Sequence, residues 1–340
     1  MNDRQVDSEV VAPVVDISTF FGGDAERKAS VARKVGAACE DTGFYTIAGH
    51  GVDRALIDRM AAVTRAYFAL DEREKQRTAC AGTGPGYRPL ESRRLAATRD
   101  DVALPDLKEG FVVGPLLPHR ALPSDYVTAP GATDWFMENL WPDRPPEFRE
   151  IWTAYYRAME SLGSTLMRIS ALALGLPESY FDSKFDRHVA ALSAKSYPPV
   201  LQEPLPGQLR AGAHTDYGGI TILWKDDGSG SLQVIDKSGV WRDIVPQPDC
   251  FIVNIGDLLA QWTNDRWVST LHRVIMPDDP KDRMESRLSL PFFYMPNYDT
   301  VVETIETCID DRHPLRYSPV TAAEHFATKV RKNRVGDAAP

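Results

Sequence analysis

The feature that most narrows the fold of this chain is a series of short apolar runs between residues 189 and 296, separated by turn signals. The runs 220–224, 232–235, 240–244, 251–255, 270–275 and 287–294 are too short for helices and rich in β-branched and aromatic residues. Asp227-Gly228, Ser229-Gly230 and Ser238-Gly239 stand between them as turn dipeptides. Many strands at regular spacing close into a sandwich or barrel. Helical patterns flank this region, so the expectation is a mainly β, α+β fold with the chemistry in the mouth of a double-sheet core.

The flanking pattern begins with a strand at 14–17, a helix over 25–41 and a strand at 44–48 after the break at Thr42-Gly43. Asp53 is placed to cap a helix reaching about Leu70, with Leu56, Met60, Val63 and Phe68 at near-helical spacing. Residues 80–145 are rich in Gly, Pro and Arg, and periodicity fails there; a stretch this long is functional loop or irregular cover over a site. From Pro146 a helix carries Phe148, Ile151, Trp152, Tyr155, Met159, Leu162, Leu166, Ile169 and Ala173 on one stripe until Gly175 closes it. Residues 1–12 and 333–340 look frayed. The expected partition is a disordered 1–12, an N-terminal region 13–145, a scaffold helix region 146–188, the β core 189–296 and a C-terminal segment 297–340.

With 340 residues and 43% hydrophobic composition the chain can bury a large core. Its formal net charge of -9 disfavours general binding to nucleic acid or anionic lipid, which need a positive face. Cys39, Cys80, Cys250 and Cys308 fall singly, against a zinc ribbon or a disulfide framework. The polar N-terminus lacks a signal-peptide core, and no apolar run approaches the roughly 20 residues of a membrane helix. A soluble, cytoplasmic protein is expected.

Ala211-Gly-Ala-His214-Thr-Asp216-Tyr-Gly-Gly219 stands just before the strand at 220–224. In extended backbone His214 and Asp216 project from one face, and His272, inside a later strand-like run, offers a third ligand. Two imidazoles and a carboxylate form the facial triad of non-haem Fe(II) oxygenases; they also serve catalytic zinc. His50, His119, His188, His313 and His325 have no carboxylate at matching spacing in a strand. Beyond His272, Arg287 and Ser289 again share one face of an extended run, and a guanidinium beside a hydroxyl makes a clamp for a carboxylate.

The combined pattern of His214-x-Asp216, His272 and Arg287-x-Ser289 resembles the isopenicillin N synthase-like family of Fe(II)/2-oxoglutarate-dependent oxygenases. The likeness extends over most of the chain. It includes Val14-Val-Asp-Ile17, Gly43-Phe-Tyr-Thr-Ile-Ala-Gly-His-Gly-Val52, Asp106-Leu-Lys-Glu-Gly-Phe111, Tyr197-Pro-Pro199, Asn254-Ile-Gly-Asp257, Trp262-Thr-Asn264 and His272-Arg-Val274. The resemblance implies a distorted double-stranded β-helix, or jelly roll, with helical buttressing. It implies Fe(II) on His214, Asp216 and His272, and the distal carboxylate of 2-oxoglutarate on Arg287 and Ser289 with a further bond from Tyr197. One departure is Lys195, where many relatives carry Asn, which puts in doubt a cosubstrate contact at that position.

By the same resemblance 2-oxoglutarate and O2 are cosubstrates, and a small molecule is hydroxylated or desaturated with release of succinate and CO2. Tyr87, Arg88, Phe292 and Tyr294 are candidate substrate residues. Arg93, Arg94 and Arg99 form a cationic cluster, and Asn254, Gly256 and Asp257 look like support near the metal. Two other readings stay open: an Fe(II) oxidase that needs no 2-oxoglutarate, since isopenicillin N synthase uses Arg-x-Ser for a substrate carboxylate, and a non-catalytic jelly-roll binding module. The chain is expected to be a monomer or weak homo-oligomer, with a tailoring role in secondary metabolism.

Overall fold

The computed structural model describes residues 11–335 apart from 81–83, 93, 97–103, 117–121, 130, 201–203, 227–230, 246 and 278. Its first elements follow local signals closely. Strand β1 (Val14–Asp16) is followed by α1 (Ala25–Asp41), capped by the Asp24 carboxylate accepting from the Arg27 N–H. Then come β2 (Phe44–Ala48) and α2 (Arg54–Phe68), with Asp53 as the expected cap, accepting from the Ala55 N–H. Val11, expected to fray with the N-terminus, is instead 9% exposed, and its carbonyl accepts from Thr42 Oγ1 at 2.7 Å. Residues 1–10 and 336–340, and the turn pairs Asp227-Gly228 and Ser229-Gly230, lie outside the described residues.

After α3 (Glu72–Gln76), the stretch expected to be irregular holds β3 (Gly86–Arg88), β4 (Glu109–Val113) and α4 (Ser124–Thr128). The two strands exist because they pair with each other and onto β5 (Ala191–Tyr197). That pairing is set by tertiary contact, and local alternation carries no trace of it. Between them in sequence, α5 (Phe148–Ala173) packs against α1 and α2 and lies along the sheet.

The β core continues with β6 (Ala211–His214), β7 (Ile220–Lys225), β8 (Leu232–Ile235), β9 (Trp241–Asp243) and β10 (Phe251–Ile255). Next come α6 (Asp257–Trp262), β11 (His272–Val274), α7 (Pro280–Arg283) and β12 (Arg287–Tyr294). The chain ends with β13 (Val301–Val302), β14 (Val320–Thr321) and α8 (Ala322–Val335), which runs past 333. An eight-stranded sheet has the order β1-β2-β10-β7-β12-β5-β4-β3, and a four-stranded sheet the order β6-β11-β8-β9.

Period-two alternation divides the large sheet into two faces. On the outer face Tyr45, Ile222, Val253, Leu290, Phe292 and Phe111 join the aromatic stripe of α5 in one core, with Phe292 at 5.1 Å from Tyr156 and Phe111 at 5.3 Å from Trp152. Each such side chain contributes about 1.5–3 kcal/mol on full burial. On the inner face Phe44, Ile252, Leu223 and Tyr197 meet Ala211, Leu232, Val234 and Val274 of the small sheet. Two sheets facing across a thin apolar seam make the jelly roll, and Arg287, Ser289, Thr221, Asn254 and Lys195 are among the other inner positions.

Candidate metal centre

His214 ends β6 and His272 begins β11, and the two are direct cross-strand partners with ring centroids 4.4 Å apart. Asp216 lies two residues beyond β6. One ligand atom from each of the three falls within 4.8 Å of the others, with His272 Nε2 at 3.9 Å from Asp216 Oδ1.

The hydrogen bonds decide which atoms face inward. His214 Nδ1 lies 2.7 Å from the Gly212 carbonyl and His272 Nδ1 lies 3.1 Å from that of Thr270. A carbonyl can only accept, so each Nδ1 carries the proton and each Nε2 keeps a lone pair for the centre. On Asp216, Oδ2 accepts from Thr221 Oγ1 at 2.6 Å and from Asn254 Nδ2 at 2.7 Å, which leaves Oδ1 toward the imidazoles. Thr221 and Asn254 are themselves cross-strand partners on β7 and β10. The loop is pinned again where the Asp257 N–H donates to the Asp216 carbonyl at 2.7 Å. Asp257 in turn accepts from Thr215 Oγ1 and pairs with Lys329 of α8 at 2.6 Å.

Burial first, and the charge of His272 second, push the His214 imidazole down to about 3. Burial alone would raise the Asp216 carboxyl, but the two imidazoles and the bonds from Thr221 and Asn254 outweigh it and hold it below the usual carboxylate range. The cluster therefore presents a deprotonated carboxylate beside a neutral His214 imidazole. That is the donor set a divalent cation needs, with no proton to displace at either group.

Arg287 and Ser289 occupy the inner face of β12, and Tyr197 is the cross-strand partner of Arg287. Arg287 is 7% exposed; one Nη donates to Ser231 Oγ, its Nε has no partner, and the Tyr197 ring lies 5.6 Å from its Cζ. Asp226 acts on it through space, but that carboxylate already accepts from Arg65 and from the Leu288 N–H. Burial pushes the Arg287 guanidinium below its ordinary range. Burial raises the Tyr197 hydroxyl, opposed by the Arg287 charge and a bond with Ser289. A buried guanidinium, a hydroxyl and a phenol thus converge in one place, a setting that a carboxylate would satisfy. Lys195 sits on the same face, paired in register with Ser289 and Gly110; its ammonium lies 3.7 Å from where a Cβ on Gly110 would stand.

The substrate candidates separate from this cluster. Phe292 and Tyr294 lie on the outer face: Tyr294 presses so closely on α5 that a Cβ on Gly163 would fall 2.9 Å from its ring. The expectation that they line a pocket is corrected by parity, because the inner-facing aromatic of β12 is Phe293, the cross-strand partner of Thr221. Tyr87 is likewise buried on the outer face, its hydroxyl donating to Glu109 at 2.7 Å and Glu72 at 2.9 Å. Arg88 faces inward opposite Gly110 and donates to the Gly84 carbonyl at 2.7 Å. Arg94 is exposed, and Arg93 and Arg99 lie outside the described residues. Thr221 and Ser231 carry no signal in the sequence; only the strand register brings them to Asp216 and Arg287.

The family described as the 2OG-Fe(II) oxygenase superfamily matches residues 187–296, and that described as non-haem dioxygenase in morphine synthesis N-terminal matches 12–144. The 2-oxoglutarate-Fe(II) type oxidoreductase hxnY of Emericella nidulans is 33% identical, over 92% of this chain and 87% of its own. Validamycin A dioxygenase of Streptomyces hygroscopicus subsp. limoneus is 32% identical, over 83% of this chain and 76% of its own. The crystal structure of a full-length Neurospora crassa protein in complex with alpha-KG matches with a TM-score of 0.81 at 26% identity, covering 97% of this chain and 100% of that one. With its jelly roll, His-Asp-His cluster and relatives of nearly full length, the chain belongs to the 2-oxoglutarate–Fe(II) oxygenase superfamily and is an Fe(II)- and 2-oxoglutarate-dependent dioxygenase.

Proposed function

We propose that His214 Nε2, His272 Nε2 and Asp216 Oδ1 hold Fe(II), and that Arg287, Ser289 and Tyr197 hold the distal carboxylate of 2-oxoglutarate. The observation that carries this is the division of hydrogen bonds. Both Nδ1 protons and Asp216 Oδ2 are engaged by the protein, so one free lone pair from each residue converges on a single point. Iron loaded with 2-oxoglutarate and O2 supplies oxidation of a substrate C–H bond, coupled to release of succinate and CO2.

The side chains bind and orient. The His214 and His272 rings are fixed by backbone carbonyls, and Thr221 with Asn254 prevents Asp216 from rotating to offer both oxygens. Tyr197 joins the apolar seam between the sheets, so the Arg287 end of the sandwich is lined by apolar side chains. No general base is assigned, because the reaction asks none of the protein.

The substrate is proposed to be a small organic molecule, approaching over Phe293 and Lys195 on the inner face, with hydroxylation the expected outcome and desaturation the variant. A tailoring role in secondary metabolism, a monomer or weak homo-oligomer, and a cytoplasmic location complete the proposal. Free thiols at Cys39, Cys250 and Cys308 suit a reducing compartment, and among the described residues no helix is long and apolar enough to cross a membrane.

The test is anaerobic addition of Fe(II) and then 2-oxoglutarate to metal-free protein. A metal-to-ligand charge-transfer absorption is expected, and admission of O2 should then form succinate. Oxygen uptake driven by another substrate, with no such band and no succinate, would replace this reading with that of an Fe(II) oxidase that needs no 2-oxoglutarate.

A further inference from the structure

Arg210 stands immediately before β6 and is 1% exposed. The next residue, Ala211, packs with Tyr197 in the cluster between the sheets, and the Arg210 guanidinium lies close enough to Arg287 and Tyr197 to interact with both. One Nη donates to the Glu285 carbonyl at 3.3 Å, while its Nε is buried without a partner. Burial first, then the charge of Arg287, push its guanidinium below the ordinary range, and Tyr197 pulls the other way. No acidic side chain figures among those influences.

The register shows which end of the small sheet this is. Ala211 pairs with Val274, and Val274 with Leu232, so residues 210 and 231 lie at the same end of their strands. That end packs on Tyr197, which joins Ala211, Leu232 and Val274 in one buried cluster, and Ser231 there already receives a bond from Arg287. Two buried guanidiniums therefore meet across the sandwich around one phenol. Like charges in a dry space disfavour each other, and a carboxylate between them removes that cost while offering lone pairs for more than one donor.

We propose that Arg210 is a second anion-binding residue of the cosubstrate pocket, closing from the small sheet on the distal carboxylate that Arg287 and Ser289 hold from the large sheet. The inference rests on the assignment of Arg287 made above. Arg210 then makes the pocket prefer a 2-oxo diacid over a 2-oxo monoacid of equal length.

The test uses full-length protein loaded anaerobically with Fe(II). It is titrated with 2-oxoglutarate and with 2-oxopentanoate, which carries a methyl group where the diacid has its distal carboxylate. Dissociation constants are read by calorimetry and by the charge-transfer band. Arg210→Gln keeps a donor for the Glu285 carbonyl and removes the charge. It should weaken 2-oxoglutarate by about tenfold and leave 2-oxopentanoate within about twofold, as expected for losing one charge-assisted hydrogen bond. Arg210→Lys should fall between wild type and Arg210→Gln; if the Gln variant does not fold, a severalfold loss of diacid preference in the Lys variant carries the test. Equal weakening of both acids, or of neither, overturns the proposal and leaves Arg210 a brace for the start of β12. Arg287→Met separates the two levels. If it discriminates between the acids and Arg210→Gln does not, only the role of Arg210 falls; if Arg287→Met does not discriminate either, the carboxylate assignment falls with it.

Discussion

On β12 the even residues Leu288, Leu290, Phe292 and Tyr294 and the odd residues Arg287 and Ser289 share one backbone and meet opposite surroundings. The even set joins the aromatic packing under α5, where Phe292 is 0% exposed and touches Tyr156. The odd set looks into the sandwich, where a guanidinium is buried with its Nε unsatisfied. The outer face is closed by apolar and aromatic packing against α5, whereas the inner face sets a buried guanidinium beside hydroxyls. Stability and function are therefore written on alternate residues of the same strands, and substitutions one position apart should fail in different ways.

The largest expected effect is at the metal. Asp216→Ala removes the one carboxylate of the cluster, and we expect Fe(II) binding and activity to vanish while the fold survives. Circular dichroism beside a metal titration checks this, and an Asp216→Ala protein that still binds Fe(II) stoichiometrically would break the inner-face half of the comparison. Next comes Phe292→Ala on the outer face. It should cost about 3–5 kcal/mol of unfolding free energy, read from urea melts, while the folded fraction keeps its 2-oxoglutarate affinity. Loss of that affinity without loss of stability would return Phe292 to the site.

Asn254→Ala probes the support behind the metal, since Asn254 holds the oxygen of Asp216 that faces away from the cluster. A loss of about 10–100-fold in Fe(II) affinity is expected, with a melting profile close to wild type. Unchanged metal affinity would mean that Thr221 alone orients the carboxylate. The smallest effect concerns pH. Burial holds His214 down to about 3 and His325, helped by Lys329, down to about 4, both below the ordinary imidazole value of 6.5. Between the lowered and the ordinary values the unfolded chain binds more protons, so stability of the metal-free protein rises with pH across that window and is lost as pH falls through it. Urea midpoints measured from pH 7 down to about 4 should decline steadily; a flat profile would show that these rings are not held neutral.

Much of this is legible in the chain itself. The elements α1, β2, α5 and β12 follow alternation or helical spacing that their own residues carry. The three proposed ligands stand out because His-x-Asp and a strand histidine precede Arg-x-Ser in one β region. What escapes a reading of the sequence is non-local. The short strands β3 and β4 carry Gly, Arg and Glu and exist through their partners, and Thr221 reaches Asp216 only through the pairing of β7 with β10. One misplacement was avoidable: setting Arg287 and Ser289 on one face already commits Phe292 and Tyr294 to the other.

The most direct measurement is an anaerobic crystal structure of the protein with Fe(II) and 2-oxoglutarate. We predict iron bound by His214 Nε2, His272 Nε2 and Asp216 Oδ1, with the distal carboxylate of 2-oxoglutarate on Arg287 and Ser289. Iron held by other residues, or a cosubstrate carboxylate away from Arg287, would contradict these assignments.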